Sequence, residues 1–136
     1  MGDLTKSVLV IAGSDPSGGA GIQADIKTLT SLGVYAMTSI TALTEQNTKG
    51  VISILEIPVD FVVKQINCCL SDFNVDAIKI GMLHSADLIN VICETLIQEN
   101  NIINKEIKII LDPVMVAKGG HKLLEDNAIS ALKDLI

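Results

Sequence analysis

The sequence predicts an α/β fold in which a mainly parallel sheet is covered by helices. Short β-rich runs alternate with amphipathic segments along the 136 residues, as repeated strand–helix–strand units require. The first run, 7–13, is a continuous apolar stretch, which is typical of a strand buried on both faces of a parallel sheet. Apolar residues make up 49% of the chain, which excludes a disordered protein.

Five strands and four helices follow from the spacing of the apolar residues. The polar segments 44–50 and 100–105 are predicted to be connecting loops. The predicted strands are 7–13, 34–43, 51–57, 76–80 and 107–111, and the predicted helices are 19–32, 60–73, 85–98 and 125–135.

The predicted helices carry signals for their ends and for their buried faces. Gly33 is suited to end the first helix, and Ser85 is a suitable N-cap for the third. Apolar residues at helical spacing mark the faces that we expect to pack inward. They are Ile22, Ile26 and Leu29 in the first helix, Val62, Ile66, Leu70 and Phe73 in the second, and Ala128, Leu132 and Leu135 in the last.

Composition and charge exclude several classes of protein. A net charge of −6 and an aromatic content of 2% argue against nucleic-acid binding. No apolar run is long enough to span a membrane, and the N-terminus has no signal-peptide pattern. Cys68, Cys69 and Cys93 lack metal-ligand spacing and are expected to be buried, reduced thiols. We therefore expect a cytoplasmic protein.

The 136 residues are expected to belong to a single domain. The last predicted element is an amphipathic helix, which in an alternating α/β fold would lead into another strand. Two interpretations follow. Either 1–136 is a complete domain of about five strands, or it is the front half of a larger α/β domain.

Four loops should converge on one crevice, because ligands of open α/β sheets bind beyond the carboxyl ends of the strands. These loops are 13–21, 44–48, 81–84 and 112–120. The first contains four glycines before a helix, so it predicts free backbone N–H groups at a helix N-terminus. The alternative is a tight strand-to-helix connection without a ligand.

The glycine-rich loop does not satisfy the requirements of either of two known phosphate-binding motifs. Gly13 and Gly18 have P-loop spacing, but Gly19 and Ala20 replace the required lysine and hydroxyl residue. The segment 19–24 matches G-x-G-x-x-A, yet five residues separate it from the strand that it should follow directly. A dinucleotide site is therefore a weak alternative.

Four further residues in these loops have chemistry suited to a small ligand. The Gln46 amide can donate and accept along the edge of a heteroaromatic base, and Met82 can form an adaptable apolar wall. Asp112 can hold Mg²⁺ directly or through water, and Lys118 can reach a phosphate. The structural alternatives are an exposed loop glutamine, core packing of the methionine, a turn role for the aspartate and a solvated lysine.

Four sequence blocks together resemble the hydroxymethylpyrimidine/phosphomethylpyrimidine kinases of the ribokinase-like superfamily. The blocks occur in the family's order and span nearly the whole chain. They are AGSDPSGGAGIQAD at 12–25, ITALTEQNT at 40–48, KIGML at 79–83 and LDPVMVAK at 111–118.

This resemblance implies a mostly parallel central sheet with helices on both faces. It also implies that ATP and Mg²⁺ are used to phosphorylate 4-amino-5-hydroxymethyl-2-methylpyrimidine and then its monophosphate, for thiamine biosynthesis. Gln46 would bind the pyrimidine edge, and the complete protein would be a homodimer. The residues implied to line the pyrimidine pocket are Gly13, Ala20, Met82 and Val114, and Asp112 is implied to lie near the metal and the ATP phosphates.

The chain also departs from the family pattern. Where the family more often has Ser-Gly-Asp, this chain has GGH at 119–121. Family members are about twice as long, and the half that this chain does not match carries the catalytic cysteine, its anion hole and most of the ATP site. We therefore expect no catalytic residue in 1–136 and little activity from it alone. The alternatives are a pyridoxal-type vitamin kinase and a non-catalytic pyrimidine-binding module.

Overall fold

The computed structural model describes residues 5–103, 107–114, 128 and 130. Within them lie six strands and three helices. The predicted helix 125–135 lies outside the described residues except for 128 and 130, which are helical. The elements are β1 (Ser7–Ala12), α1 (Gly21–Ser31), β2 (Tyr35–Ile40), β3 (Ala42–Asn47), β4 (Gly50–Glu56), α2 (Val59–Asp72), β5 (Ala77–Ile80), α3 (Ala86–Ile103) and β6 (Lys108–Leu111).

The main sheet has four parallel strands in the order β2-β1-β5-β6. The central strand β1 is buried on both faces, as its apolar run predicted. On one face Val10 packs with Ile22 of α1. On the other, Leu9 packs in a cluster with Ile66 of α2 and Ile92 of α3. Helices therefore cover both faces of a mostly parallel sheet, which confirms the expected fold class.

The strand order places a crevice between β1 and β5. The connection after β1 leads to β2 on one side, whereas the connection after β5 leads to β6 on the other. The chain segments that leave these two neighbouring strands therefore diverge at their carboxyl ends. Such a reversal of strand order is the usual ligand-binding position in an open α/β sheet.

The prediction that 44–50 is a loop is wrong. The segment 44–47 belongs to β3, which pairs antiparallel with β4 in a separate two-stranded sheet. The predicted strand 34–43 is likewise two strands, with Thr41 between them. A hairpin buried on only one face accommodates alternating polar residues, so the polar composition of 44–47 did not prevent strand formation.

Two predicted helix faces are narrower than expected. Ile26 of α1 is 38% exposed, so the buried stripe consists of Ile22 and the partly buried Leu29. Phe73 is 39% exposed because α2 ends one residue earlier, and the extended backbone of Phe73 turns it away from the helix face. Its ring stacks on Tyr35 instead, with the ring centroids 5.6 Å apart.

The predicted helix ends are confirmed for α1 and for the start of α3. Gly33 has φ +72°, and its N–H donates to Thr30 O at 3.0 Å. Ser85 Oγ accepts from the N–H of Leu88 at 3.3 Å. The helix α3 continues to Ile103, into the segment predicted as a connector, because no glycine or proline interrupts it.

The three cysteines form no disulfide. Cys69 and Cys93 are partly buried, and burial raises the pKa of both thiols. Cys68 is exposed, which contradicts the expectation that all three are buried. No helix within the described ranges combines the length and the apolar character that crossing a membrane requires.

Candidate functional site

The predicted loops meet in one crevice at the carboxyl ends of β1, β5 and β6. The crevice has a volume of about 520 Å³, which is within the usual range for small-molecule sites. Lys118 lies outside the described residues. The other predicted site residues all line the crevice: Gly13, Ala20, Gln46, Met82, Asp112 and Val114.

The Asp15 side chain holds the glycine-rich loop together through hydrogen bonds to other residues of the same loop. The Asp15 carboxylate accepts backbone N–H groups from Ser17 at 2.8 Å, Gly19 at 3.0 Å and Ala20 at 2.9 Å. It also accepts the Ser17 hydroxyl at 2.7 Å. The expectation of free N–H groups is therefore wrong for these three residues, because the Asp15 carboxylate already accepts their hydrogen bonds.

Asp15 is ionised in this loop at neutral pH. It is only 2% exposed, and burial by itself raises the pKa of a carboxyl group. The hydrogen bonds from Ser17, Gly19 and Ala20 outweigh that effect and hold the pKa of Asp15 below its usual value. The loop is thus a preformed wall of the crevice, shaped by a charged hydrogen-bond network.

Two glycines allow the chain to turn back closely at this wall. Gly21 has φ +56°, and a Cβ there would collide with the carbonyl oxygen of Gly13. A Cβ on Gly13 would lie 2.5 Å from the terminal methyl of Met82. The absence of side chains at both positions therefore allows the close packing of this wall.

The hairpin forms the second wall and is joined to the glycine-rich loop at Ser14. The Ser14 N–H donates to Ala42 O at 2.9 Å, and the Thr44 hydroxyl donates to Ser14 O at 2.8 Å. Thr44 Oγ1 is also 3.1 Å from Gln46 Oε1. Gln46 is therefore part of a strand facing the crevice, and not the exposed loop residue of the alternative interpretation.

Met82 and Val114 provide apolar surface in the crevice. Met82 is 8% exposed and packs with Ala42 and Val51, while Val114 and Ile54 border the same cluster. Met82 thus both packs in a core and lines the crevice. A thioether of this kind adapts well to a flat ligand.

The charged end of the crevice contains a pairing that sequence reasoning missed. Lys79 of β5 lies 2.9 Å from Asp25 of α1 and 4.0 Å from Asp112, which follows β6. All three line the crevice. One signal was available, because a lysine inside a central parallel strand is rare unless it is paired.

A family model described as phosphomethylpyrimidine kinase matches residues 15–136. The chain belongs to the phosphomethylpyrimidine kinase family. The predicted resemblance is thereby confirmed, and so is the ribokinase-like fold, which the neighbouring structures share.

Members of the phosphomethylpyrimidine kinase family are similar to this chain in sequence and structure. The hydroxymethylpyrimidine/phosphomethylpyrimidine kinase of Escherichia coli is 47% identical over 127 residues, covering 93% of this chain and 46% of that protein. The crystal structure of phosphomethylpyrimidine kinase from Clostridium difficile matches with a TM-score of 0.83 and 43% identity, covering 94% of this chain and 53% of that one.

A more distant structural neighbour is the pyridoxal kinase from Staphylococcus aureus, solved in complex with AMP-PCP and pyridoxal. It matches with a TM-score of 0.79 and 33% identity, covering 98% of this chain and 45% of that one. The chain spans about half the length of each of these three proteins.

The single carboxylate of Asp112 is suited to a magnesium ion that takes most of its ligands from a nucleotide and from water. Within 5–103 and 107–114, no group of three or more histidine, cysteine, aspartate or glutamate side chains is arranged to hold a metal ion. The Asp112 side chain is 60% exposed at the crevice. Mg²⁺ is often held by one or two carboxylates together with nucleotide phosphates and water. Asp112 therefore suits a magnesium ion that arrives with a nucleotide.

Proposed function

We propose that the crevice binds 4-amino-5-hydroxymethyl-2-methylpyrimidine and its monophosphate. The chain would supply the pyrimidine-binding side of an ATP-dependent kinase for thiamine biosynthesis. The observation that carries this proposal is the position of Gln46, whose amide lines a small crevice beside the apolar surface of Met82 and Val114. An amide edge next to a flat apolar wall is suited to a heteroaromatic ring with polar substituents.

Each residue has a proposed role in binding or orientation. Gln46 binds the polar edge of the ring, while Asp112 and Lys118 act toward Mg²⁺ and the ATP phosphates. Bound Mg-ATP supplies the phosphoryl group, and no catalytic residue is assigned within 1–136. The residues proposed to line the ring's faces are Gly13, Ala20, Met82 and Val114. We also propose that the complete protein is a cytoplasmic homodimer.

Calorimetric titration of the pyrimidine into this chain tests the proposal. We expect binding that Gln46→Ala weakens at least about tenfold, because two hydrogen bonds to the ring edge are lost. Gln98→Ala is the matched control, since Gln98 is exposed on α3 away from the crevice. Unchanged affinity in Gln46→Ala would remove the proposed site.

Assays of ADP release test the enzymatic part of the proposal. We expect the 136-residue chain to bind the pyrimidine without substrate-dependent ADP release. Release of ADP would show that these residues complete a catalytic site. Binding without turnover is also what a non-catalytic pyrimidine-binding module predicts, so the assay must be repeated on any longer form of the protein.

A pyridoxal-type vitamin kinase is the second candidate. The observation that favours it is the fold shared with the Staphylococcus aureus pyridoxal kinase. Titration with pyridoxal under the same conditions distinguishes the two. We expect pyridoxal to bind more weakly than the pyrimidine, because its ring lacks the amino group beside a ring nitrogen that Gln46 can pair with.

A further inference from the structure

Thr44 is the residue that connects Gln46 to the rest of the crevice. Its hydroxyl oxygen lies 2.8 Å from the carbonyl oxygen of Ser14 and 3.1 Å from Oε1 of Gln46, so both neighbouring atoms are placed as acceptors. A hydroxyl carries one proton and two lone pairs. It can therefore donate to only one of these two neighbours, and the other contact must be satisfied in another way.

The Ser14 carbonyl determines which neighbour accepts the hydrogen bond from the Thr44 hydroxyl. A carbonyl oxygen can only accept, so without the hydroxyl proton the two oxygen atoms would face each other at 2.8 Å without a hydrogen bond. The Gln46 amide has no such restriction, because a half-turn exchanges its oxygen and its NH₂ group without changing its shape. All three groups are satisfied only when Thr44 donates to Ser14 and Gln46 Nε2–H donates to Thr44.

We infer that Thr44 is a positioning residue that orients the Gln46 amide with Oε1 toward the crevice. This inference rests on the proposed function and deepens it. Oriented in this way, Gln46 presents an acceptor, Oε1, and beside it the second N–H of its NH₂ group. The complementary ligand edge has an amino donor next to a ring-nitrogen acceptor, as in a 4-aminopyrimidine. The lactam form of a 4-oxopyrimidine presents the opposite order, an acceptor next to an N–H.

Thr44 itself is held firmly enough to impose this orientation. It pairs with Ile54 across the hairpin, and the loop residue to which it donates, Ser14, is fixed by its own N–H bond to Ala42 O at 2.9 Å. Gln46 has three rotatable side-chain bonds and a freely invertible amide, so it needs an external partner to hold one orientation. In 5–103 and 107–114, Thr44 is the hydrogen-bond partner that the structure gives to the Gln46 side chain.

A comparison of two ligands with matched variants tests the inference. The 4-amino pyrimidine and its 4-oxo analogue are titrated into the wild-type chain, Thr44→Val and Thr44→Ser. We expect the wild type and Thr44→Ser to prefer the amino compound at least about 100-fold, because the oxo compound leaves buried polar groups unpaired. Thr44→Val keeps the branched shape without the hydroxyl, and its preference should fall below about tenfold, since the amide can then invert to suit either edge.

The outcomes separate this inference from the proposed function. If the wild type prefers the amino compound and Thr44→Val retains the full preference, Thr44 does not orient Gln46. If the wild type binds neither compound, the proposed function fails, and the unliganded chain still tests the inference. Nuclear Overhauser effects between the Gln46 Nε2 protons and the Thr44 side chain are expected in the wild type, and amide protons directed away from Thr44 would overturn it.

Discussion

The ammonium group of Lys79 on β5 lies 2.9 Å from the carboxylate of Asp25 on α1, and each side chain is less than one-quarter exposed. The neighbouring strand residues Ile78 and Ile80 are fully buried on the opposite face of the sheet. The lysine is therefore tolerated in a central strand because a carboxylate on the covering helix neutralises it. The pair joins the helix to the sheet at the edge of the crevice.

We predict that Lys79→Met lowers the free energy of unfolding by about 1–2 kcal/mol, because Asp25 is left partly buried without its partner. The matched control is Lys64→Met. Lys64 pairs with Asp60 at the same distance of 2.9 Å, but both side chains are about 70% exposed. Urea unfolding should detect no loss of stability in Lys64→Met. Equal losses of stability in both variants would show that the partial burial of the Lys79–Asp25 pair does not matter.

The hydrogen bonds to Asp15 predict that Asp15→Asn lowers the free energy of unfolding. Three N–H groups and one hydroxyl lose a charged acceptor, so we expect unfolding free energy to fall by about 2 kcal/mol at pH 7. Asp72→Asn is the control, because Asp72 is exposed at the C-terminal end of α2 and removing a negative charge there should not destabilise the helix. A stability equal to the wild type would contradict the role of the network.

The same network predicts a specific pH dependence. Because the pKa of Asp15 is lowered in the folded state, its contribution is fully present above the ordinary aspartate value of 3.8 and is lost as the pH falls through the lower folded value. The stability difference between wild type and Asp15→Asn should therefore be constant from pH 5 to 7 and shrink below about pH 4. A stability difference between wild type and Asp15→Asn that grows as the pH falls would contradict this prediction.

Gly21 and Gly33 form a matched pair for testing the tight turn at the crevice. Both have a positive φ, but a Cβ at Gly33 meets no atom within 4 Å, whereas a Cβ at Gly21 collides with the backbone of Gly13. We expect Gly33→Ala to cost about 1 kcal/mol from backbone strain alone, and Gly21→Ala to cost about 3 kcal/mol because the loop must also move. Similar losses by thermal or urea unfolding would contradict the close approach.

Gly13→Ala should impair binding more than stability. The added methyl collides with the end of the Met82 side chain, which is flexible enough to move, so we expect the free energy of unfolding to fall by only about 1 kcal/mol. Gly13 and Met82 both line the crevice, so the added methyl should leave less room for the pyrimidine, and we expect its affinity to fall at least about tenfold. Combining Gly13→Ala with Met82→Leu should restore part of that affinity in calorimetric titration, and full wild-type affinity in Gly13→Ala alone would contradict the geometry.

Much of the fold and the position of the crevice were predictable from short-range patterns. The continuous apolar run 7–13 identified the central strand, and Gly33 and Ser85 marked helix ends correctly. The general rule for open α/β sheets then placed the segments 13–21, 44–48, 81–84 and 112–120 at one edge, and residues from all four line one crevice. These inferences depend only on local sequence and on sheet topology.

The remaining features depend on partners that are distant in sequence or on one-sided burial. Lys79 and Asp25 are 54 residues apart, and nothing in their spacing indicates that they pair. The polar segment 44–47 resembles a loop because composition does not reveal that only one hairpin face is covered. Asp15 in a glycine-rich loop is compatible with an open anion site or a closed one, and only the directions of the N–H groups distinguish them.

Titration of the pyrimidine into the ¹⁵N-labelled chain, followed by NMR, tests directly whether the pyrimidine binds in this crevice. We expect the backbone amide signals of Gly13, Gly81 and Gln46 to shift together with one dissociation constant, because these residues line the same crevice. A second cavity of about 450 Å³ lies at the amino ends of the strands, beside Tyr35 and Phe73. Shifts confined to that end of the sheet, with Gly13, Gly81 and Gln46 unaffected, would show that the pyrimidine does not bind in the proposed crevice.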